Sequence, residues 1–103
     1  MDMINVIASV RVREGRISDF LIILRALMPK VRKERGCIEY FPTVDVDAEL
    51  SAQILNKNVV TIIEKWDNLE TLRDHLAAPH MQAYREKVKN IVEDVSLRIL
   101  QEA

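Results

Sequence analysis

The sequence predicts an α+β domain of strand, helix, strand, strand, helix pair, strand order, with all strands in one four-stranded antiparallel sheet. Three observations carry this. Period-two apolar alternation appears near both ends of the chain and twice in its middle, marking strands. Segments with apolar residues at helical spacing stand between them. The length, 103 residues, suits one hydrophobic core and not two, so residues 1–103 are read as a single domain. Right-handed crossovers in both βαβ halves then give the ferredoxin-like topology, with the helices on one face.

In the first strand Ile4, Val6, Ala8, Val10 and Val12 share one face. Glu14-Gly15 breaks it, and Ile17, Phe20, Leu21, Leu24, Leu27, Met28 and Val31 form the stripe of a long helix. Pro29 lies inside that helix and is expected to kink its last turns, because it removes the hydrogen bond to the carbonyl of Arg25. Arg32, Lys33 and Arg35 gather at the negative end of the helix dipole, before Gly36 as a left-handed terminator. That placement explains the basic run without a nucleic-acid role. A second strand carries Ile38, Tyr40, Pro42, Val44 and Val46 on one face, and Pro42 assigns it to a sheet edge. Residues 47–58 are too many for a tight turn and read as an arm or a short helix.

Val59 to Trp66 is the clearest strand, with Val60, Ile62, Glu64 and Trp66 on one side, and both its faces are expected to be covered. Asp67-Asn68 offers an N-cap to a short helix with Leu69, Leu72 and Leu76 as its stripe and His75 beside it. Pro79 interrupts that helix. The pattern resumes with Met81, Tyr84, Val88 and Ile91, and Val95, Leu97 and Ile99 alternate as the closing strand.

With 49% hydrophobic and 30% charged residues the composition is that of an ordinary globular protein, which excludes a disordered or fibrous class. A net charge of −1 leaves no basic footprint for nucleic acid or an anionic membrane. No run is long enough to span a bilayer, and Met1-Asp2-Met3-Ile4 lacks the layout of a secretory signal, so a cytoplasmic protein is expected. The single cysteine, Cys37, can form no internal disulfide and reads as a small, partly buried residue at a strand start. Only Gly15 and Gly36 are present, so no phosphate-binding loop exists.

The sheet face away from the helices should be polar if it met water. Instead Ile7, Phe41, Val59, Ile63 and Leu100 are interleaved with Arg11, Glu39, Thr61, Lys65 and Arg98. An apolar face with charges of both signs suits burial against a second copy of the sheet, so a homodimer is expected.

The run Ile63-Glu64-Lys65-Trp66-Asp67-Asn68, then Leu72, His75-Leu76 and Ala78-Pro79-His80-Met81, resembles the signature of the antibiotic biosynthesis monooxygenase family. The resemblance extends to Gly15 and to Glu34-Arg35-Gly36-Cys37-Ile38-Glu39-Tyr40, nearly the whole chain. It implies a dimeric α+β barrel with a pocket between sheet and helices, and an oxygenase that acts on quinol-like or polyphenolic molecules without metal or flavin. Two features depart from the pattern. The 47–58 connection is longer than the usual turn, and could reshape the pocket mouth or reach across the dimer. Ala8, His75 and Arg85 stand where the haem-degrading branch carries Asn, Trp and His, so haem degradation is not implied.

Cofactor-free oxygenation needs a base to form a phenolate, an apolar cavity, and donors for the developing anion. His75 and His80 are the candidate bases; the dipole at the start of the helix after Pro79 favours a neutral ring at His80. Glu64, on an apolar strand face, should have a raised pKa and could orient a histidine. Trp66, Tyr40 and Tyr84 are candidate walls for an aromatic substrate, although aromatics on a core face are commonly packing. Both histidines could equally pack the helix junction, and Glu64 could sit in a core ion pair. Metal binding by Glu64, His75 and His80 is disfavoured because Pro79 destroys the helical spacing. Two rival functions use the same cavity: a binding site for a small aromatic molecule without chemistry, and isomerisation or processing of a small signalling molecule.

Overall fold

A computed structural model describes residues 2–103. Its elements are β1 (Ile4–Val12), α1 (Ile17–Arg32), β2 (Cys37–Val44), β3 (Val59–Trp66), α2 (Leu69–Ala77), α3 (Pro79–Val88) and β4 (Val92–Leu100). The sheet order is β2-β3-β1-β4, every neighbouring pair antiparallel, which is the ferredoxin-like topology. Among the described residues no helix is long and apolar enough to cross a membrane.

Alternation in β1 and β3 puts Val6, Ala8, Val10, Val60, Ile62, Glu64 and Trp66 under the helices, all buried. Phe20, Leu24, Leu27 and Val31, one α1 stripe, close over them. α1 continues unbroken past Pro29 to Arg32. Arg25 and Pro29 both lie on the exposed side, so the carbonyl that Pro29 leaves unpaired can be satisfied by solvent.

The turn after α1 is docked on the start of α2. Gly36 has φ +85°, and a Cβ there would lie 2.5 Å from the Thr71 side chain, so only glycine fits. Its carbonyl accepts from Asp67 N at 2.9 Å, and Arg35 pairs with Asp74 at 3.0 Å and Glu70 at 3.3 Å. Asn68 and Thr71 exchange a capping box that starts α2. Pro79 begins α3 as its first residue, a position where its missing N–H costs nothing.

Several details differ from the expectations. A bulge between Cys37 and Glu39 takes Ile38 off the Tyr40 face, and β2 ends at Val44, leaving Val46 in the connection. β2 is an edge strand, as Pro42 requires. The buried stripe of α2 is Thr71, Leu72 and His75, with Leu69 exposed; Thr71 lies against the Gly36 turn. Residues 45–58 form no helix. The outer face of β3 is half-buried, not covered, in the single chain, where no second layer lies against it. Along β4 beyond Val92, which packs against the core, both faces are exposed among the described residues: Val95, Leu97 and Ile99 share the helix side of the sheet yet are about half exposed.

Candidate functional site

Between the sheet and α2–α3 lies a cavity of about 340 Å³. Ala8, Val10 and Ile62 form its floor, Met81 and Val88 part of its roof, and Val95 and Leu97 its β4 side. Tyr40, Glu64, His75 and Tyr84 are the polar groups of its inner wall, and Arg85 and Lys89 stand at its margin. Four of the six residues singled out from sequence therefore share one cavity.

His75, 1% exposed, is fixed from three directions. The tilted Trp66 ring packs against it at 4.6 Å between centroids, and Tyr40 meets it edge-on at 5.6 Å. Its Nδ1–H donates to Glu34 Oε2 at 2.9 Å, which leaves the Nε2 lone pair on the side of Glu64, whose Oε1 is 4.0 Å away. Burial lowers the pKa of His75, opposed by the Glu34 hydrogen bond and charge. The ring is thus neutral at neutral pH, an acceptor turned toward the cavity.

Glu64 is reached by alternation along β3 and sits between Val6 of β1 and Tyr40 of β2. Burial raises its pKa to about 7, with the Trp66 Nε1–H, donating to Oε1 at 3.0 Å, working in the opposite direction and Glu34 adding to the rise. A carboxyl that titrates near neutrality beside a neutral imidazole supplies an acid and a base in one cavity. Burial, its first cause, likewise pushes the Tyr40 and Tyr84 hydroxyls well above the ordinary phenol range and keeps them as O–H donors.

Two candidates are placed elsewhere. Trp66, fully buried, does not line the cavity; it lies behind His75 and Glu64 and holds both, because its indole N–H needs an acceptor in the core. His80 does not line it either. At the start of α3 its ring points to the α1 side, where Nε2 donates to the same Glu34 Oε2 at 2.7 Å. Glu34 is the residue that sequence reasoning missed. It sits in the α1–β2 turn, 41 positions before His75, and no local periodicity marks it; only its place in the Glu34–Tyr40 junction drew attention to that segment. The donor atoms of Glu34, His75 and His80 lie within 4.8 Å of one another, the group among the described residues that could hold a metal ion. Glu64, from the trio weighed above, is not in it. Cys37 has its thiol pushed up to about 11, by burial and then by Glu34 and Glu64, which fits an inert packing residue.

An α+β domain with an acid–base pair in an apolar cavity between sheet and helices fits a small-molecule enzyme. The family model described as antibiotic biosynthesis monooxygenase matches residues 3–87, and the chain belongs to that family. It is 39% identical over 101 residues, 96% of this chain and 97% of the relative, to "Probable quinol monooxygenase YgiN" of Escherichia coli strain K12, and equally to that of Shigella flexneri. Among solved structures it is similar to PA3566 from Pseudomonas aeruginosa (TM-score 0.83, 20% identity, covering 100% of this chain and 96% of that one). SO0527 from Shewanella oneidensis is also similar (TM-score 0.82, 26% identity, 98% and 91%).

Proposed function

We propose that the protein is a homodimeric monooxygenase that oxidises a quinol-like or polyphenolic molecule without a prosthetic group. The observation that carries this reading is the placement of His75, anchored at Nδ1 by Glu34 and with Nε2 4.0 Å from Glu64 on the same inner wall of an apolar cavity. The family and the quinol monooxygenase relatives support it.

A substrate hydroxyl near His75 Nε2 gives up its proton to the ring, and the Glu34 carboxylate offsets the charge that develops there. The resulting phenolate is electron-rich enough to react with oxygen. A quinol and O2 give a hydroxyquinone and water, so the substrate supplies the electrons and no external reductant is needed. Protonated Glu64, Tyr40 and Tyr84 donate to the reduced oxygen intermediates, and the apolar floor excludes water.

The test is oxygen uptake with a panel of quinols. His75→Ala should lower kcat by about 10²- to 10⁴-fold, the range of general-base removal. Unchanged turnover in that variant refutes its role as the base. Stabilisation of the fold by a quinol without turnover would favour simple binding, and a rearranged product without oxygen uptake would favour isomerisation.

The homodimer is proposed through the outer sheet face, where Ile7 pairs with Ile63 and Arg98, and Phe41 with Ile63. These partly exposed apolar residues lie among Arg11, Glu39 and Lys65, a pattern suited to a twofold contact. Ile63→Asp should convert a dimer to a monomer in sedimentation, and a wild-type monomer at micromolar concentration would refute the assembly.

A further inference from the structure

Besides the outer sheet face, two apolar surfaces have no cover among the described residues. The first is the connection between β2 and β3. It is internally ordered: Ala48 N donates to Gln53 Oε1 at 3.0 Å and Asn56 N to Asp45 Oδ2 at 2.8 Å. Yet it presents Val46, Leu50, Ile54 and Leu55 to solvent, Ile54 at 88%. An ordered arm with its apolar side chains outward is unusual for an isolated surface loop. The second surface is the helix side of β4, where Val95, Leu97 and Ile99 are 53%, 45% and 46% exposed. Val95 and Leu97 line the cavity, so the cavity is open along this edge.

These surfaces cannot meet within one chain, because the arm leaves the sheet at the β2–β3 side and β4 is the opposite edge. A twofold axis running along the strands between two outer faces brings them together. Such an axis reverses the left-to-right order of the second sheet and preserves strand direction, so β2 of one copy adjoins β4 of the other. Since β2 is antiparallel to β3, β3 to β1 and β1 to β4, the two edges meet antiparallel, closing the exposed edges. The axis also keeps the ends of the sheet in place. The arm enters β3 at Val59, which pairs with Arg11, and Arg11 pairs with Asp94. One copy's arm therefore arrives near the start of the other's β4.

Charge agrees with this placement. Asp45, Asp47 and Glu49 in the arm have no cationic partner among the described residues, while Arg85 and Lys89 stand at the cavity margin. Among the described residues Arg85 donates only to the carbonyl of Leu76, at 2.7 Å, and is the cation without a carboxylate partner there, whereas Lys89 is paired with Glu86.

We propose that, in the homodimer read above, the 45–58 arm of one copy lies along the open β4 side of the other copy's cavity. Leu50 and Ile54 then pack toward Val95, Leu97 and Ile99, and the arm's carboxylates face Arg85 and Lys89. The outer wall of each cavity is supplied by the second copy, which makes the arm a determinant of substrate size.

The proposal is tested by replacing Ile54 with the photo-cross-linking residue p-benzoylphenylalanine in the full chain, mixing ¹⁵N-labelled and unlabelled protein, irradiating, and sequencing cross-linked peptides by mass spectrometry. Peptides joining position 54 to Val92–Leu100 with mixed isotope labels are expected. The same probe at Ile22, exposed on α1, should give no such product. Sedimentation on the same samples separates the two readings. A dimer whose position-54 cross-links stay within one chain, or reach other segments, overturns the arm placement and leaves the dimer standing; a monomer overturns both. Neither readout depends on turnover.

Discussion

Replacing Glu64 by Gln removes a buried carboxyl whose pKa rises on folding from the ordinary 4.5 to about 7. Because the folded state holds this proton more tightly, the stability that protonation contributes is complete below pH 4.5 and is lost as pH rises through 7. At about 1.36 kcal/mol per pH unit, that difference amounts to roughly 3 kcal/mol across the window. Gln has nearly the same shape, cannot ionise, and its amide oxygen can still accept from Trp66 Nε1. The expected outcome is a Glu64→Gln variant close to wild type at pH 4.5 and more stable than wild type at pH 8 by up to roughly 3 kcal/mol. Urea titrations at half-unit pH steps and fixed protein concentration measure it, and the midpoint difference should grow by on the order of 1 M. His75 acts in the other direction: its lowered pKa contributes stability above the ordinary histidine value that is lost in acid. Both proteins keep His75, so the difference between the curves reports mainly Glu64. A difference that stays flat from pH 5 to 8 would refute the claim that Glu64 titrates near neutrality in the folded chain.

Trp66→Phe deletes the donor that favours the Glu64 carboxylate, so any pH optimum of quinol turnover governed by Glu64 should move upward; a pH–rate profile decides, and a downward or absent displacement counts against the Trp66–Glu64 bond. Gly36→Ala forces both a positive φ and a clash with Thr71, and should cost roughly 1–3 kcal/mol or more in denaturant titration. Phe20→Ala empties the fully buried centre of the α1 contact, with an expected loss of about 3–5 kcal/mol by the same assay; a loss under 1 kcal/mol would mean the site collapses or was never closed.

Much of this protein is written in local periodicity. The strand alternation of Ile4–Val12 and Val59–Trp66 specifies which side chains enter the core, because a pleated strand turns every second residue to the same face. That rule placed Glu64 inside from sequence alone. The α1 stripe, the Asn68 cap, Pro42 at a sheet edge and Pro79 at a helix start follow from equally local constraints on backbone geometry and hydrogen bonding. What only tertiary structure decided was the pairing of side chains far apart in the chain. Glu34 meets His75 and His80 because the Gly36 turn docks on Thr71 and Arg35 reaches Glu70 and Asp74. The Ala78-Pro79 break turns His80 away from the cavity that His75 enters, and Trp66 goes behind the site because its indole N–H finds its acceptor on Glu64. A hydrogen bond across 41 residues carries no period of its own, since it depends on where two separately determined elements are packed together.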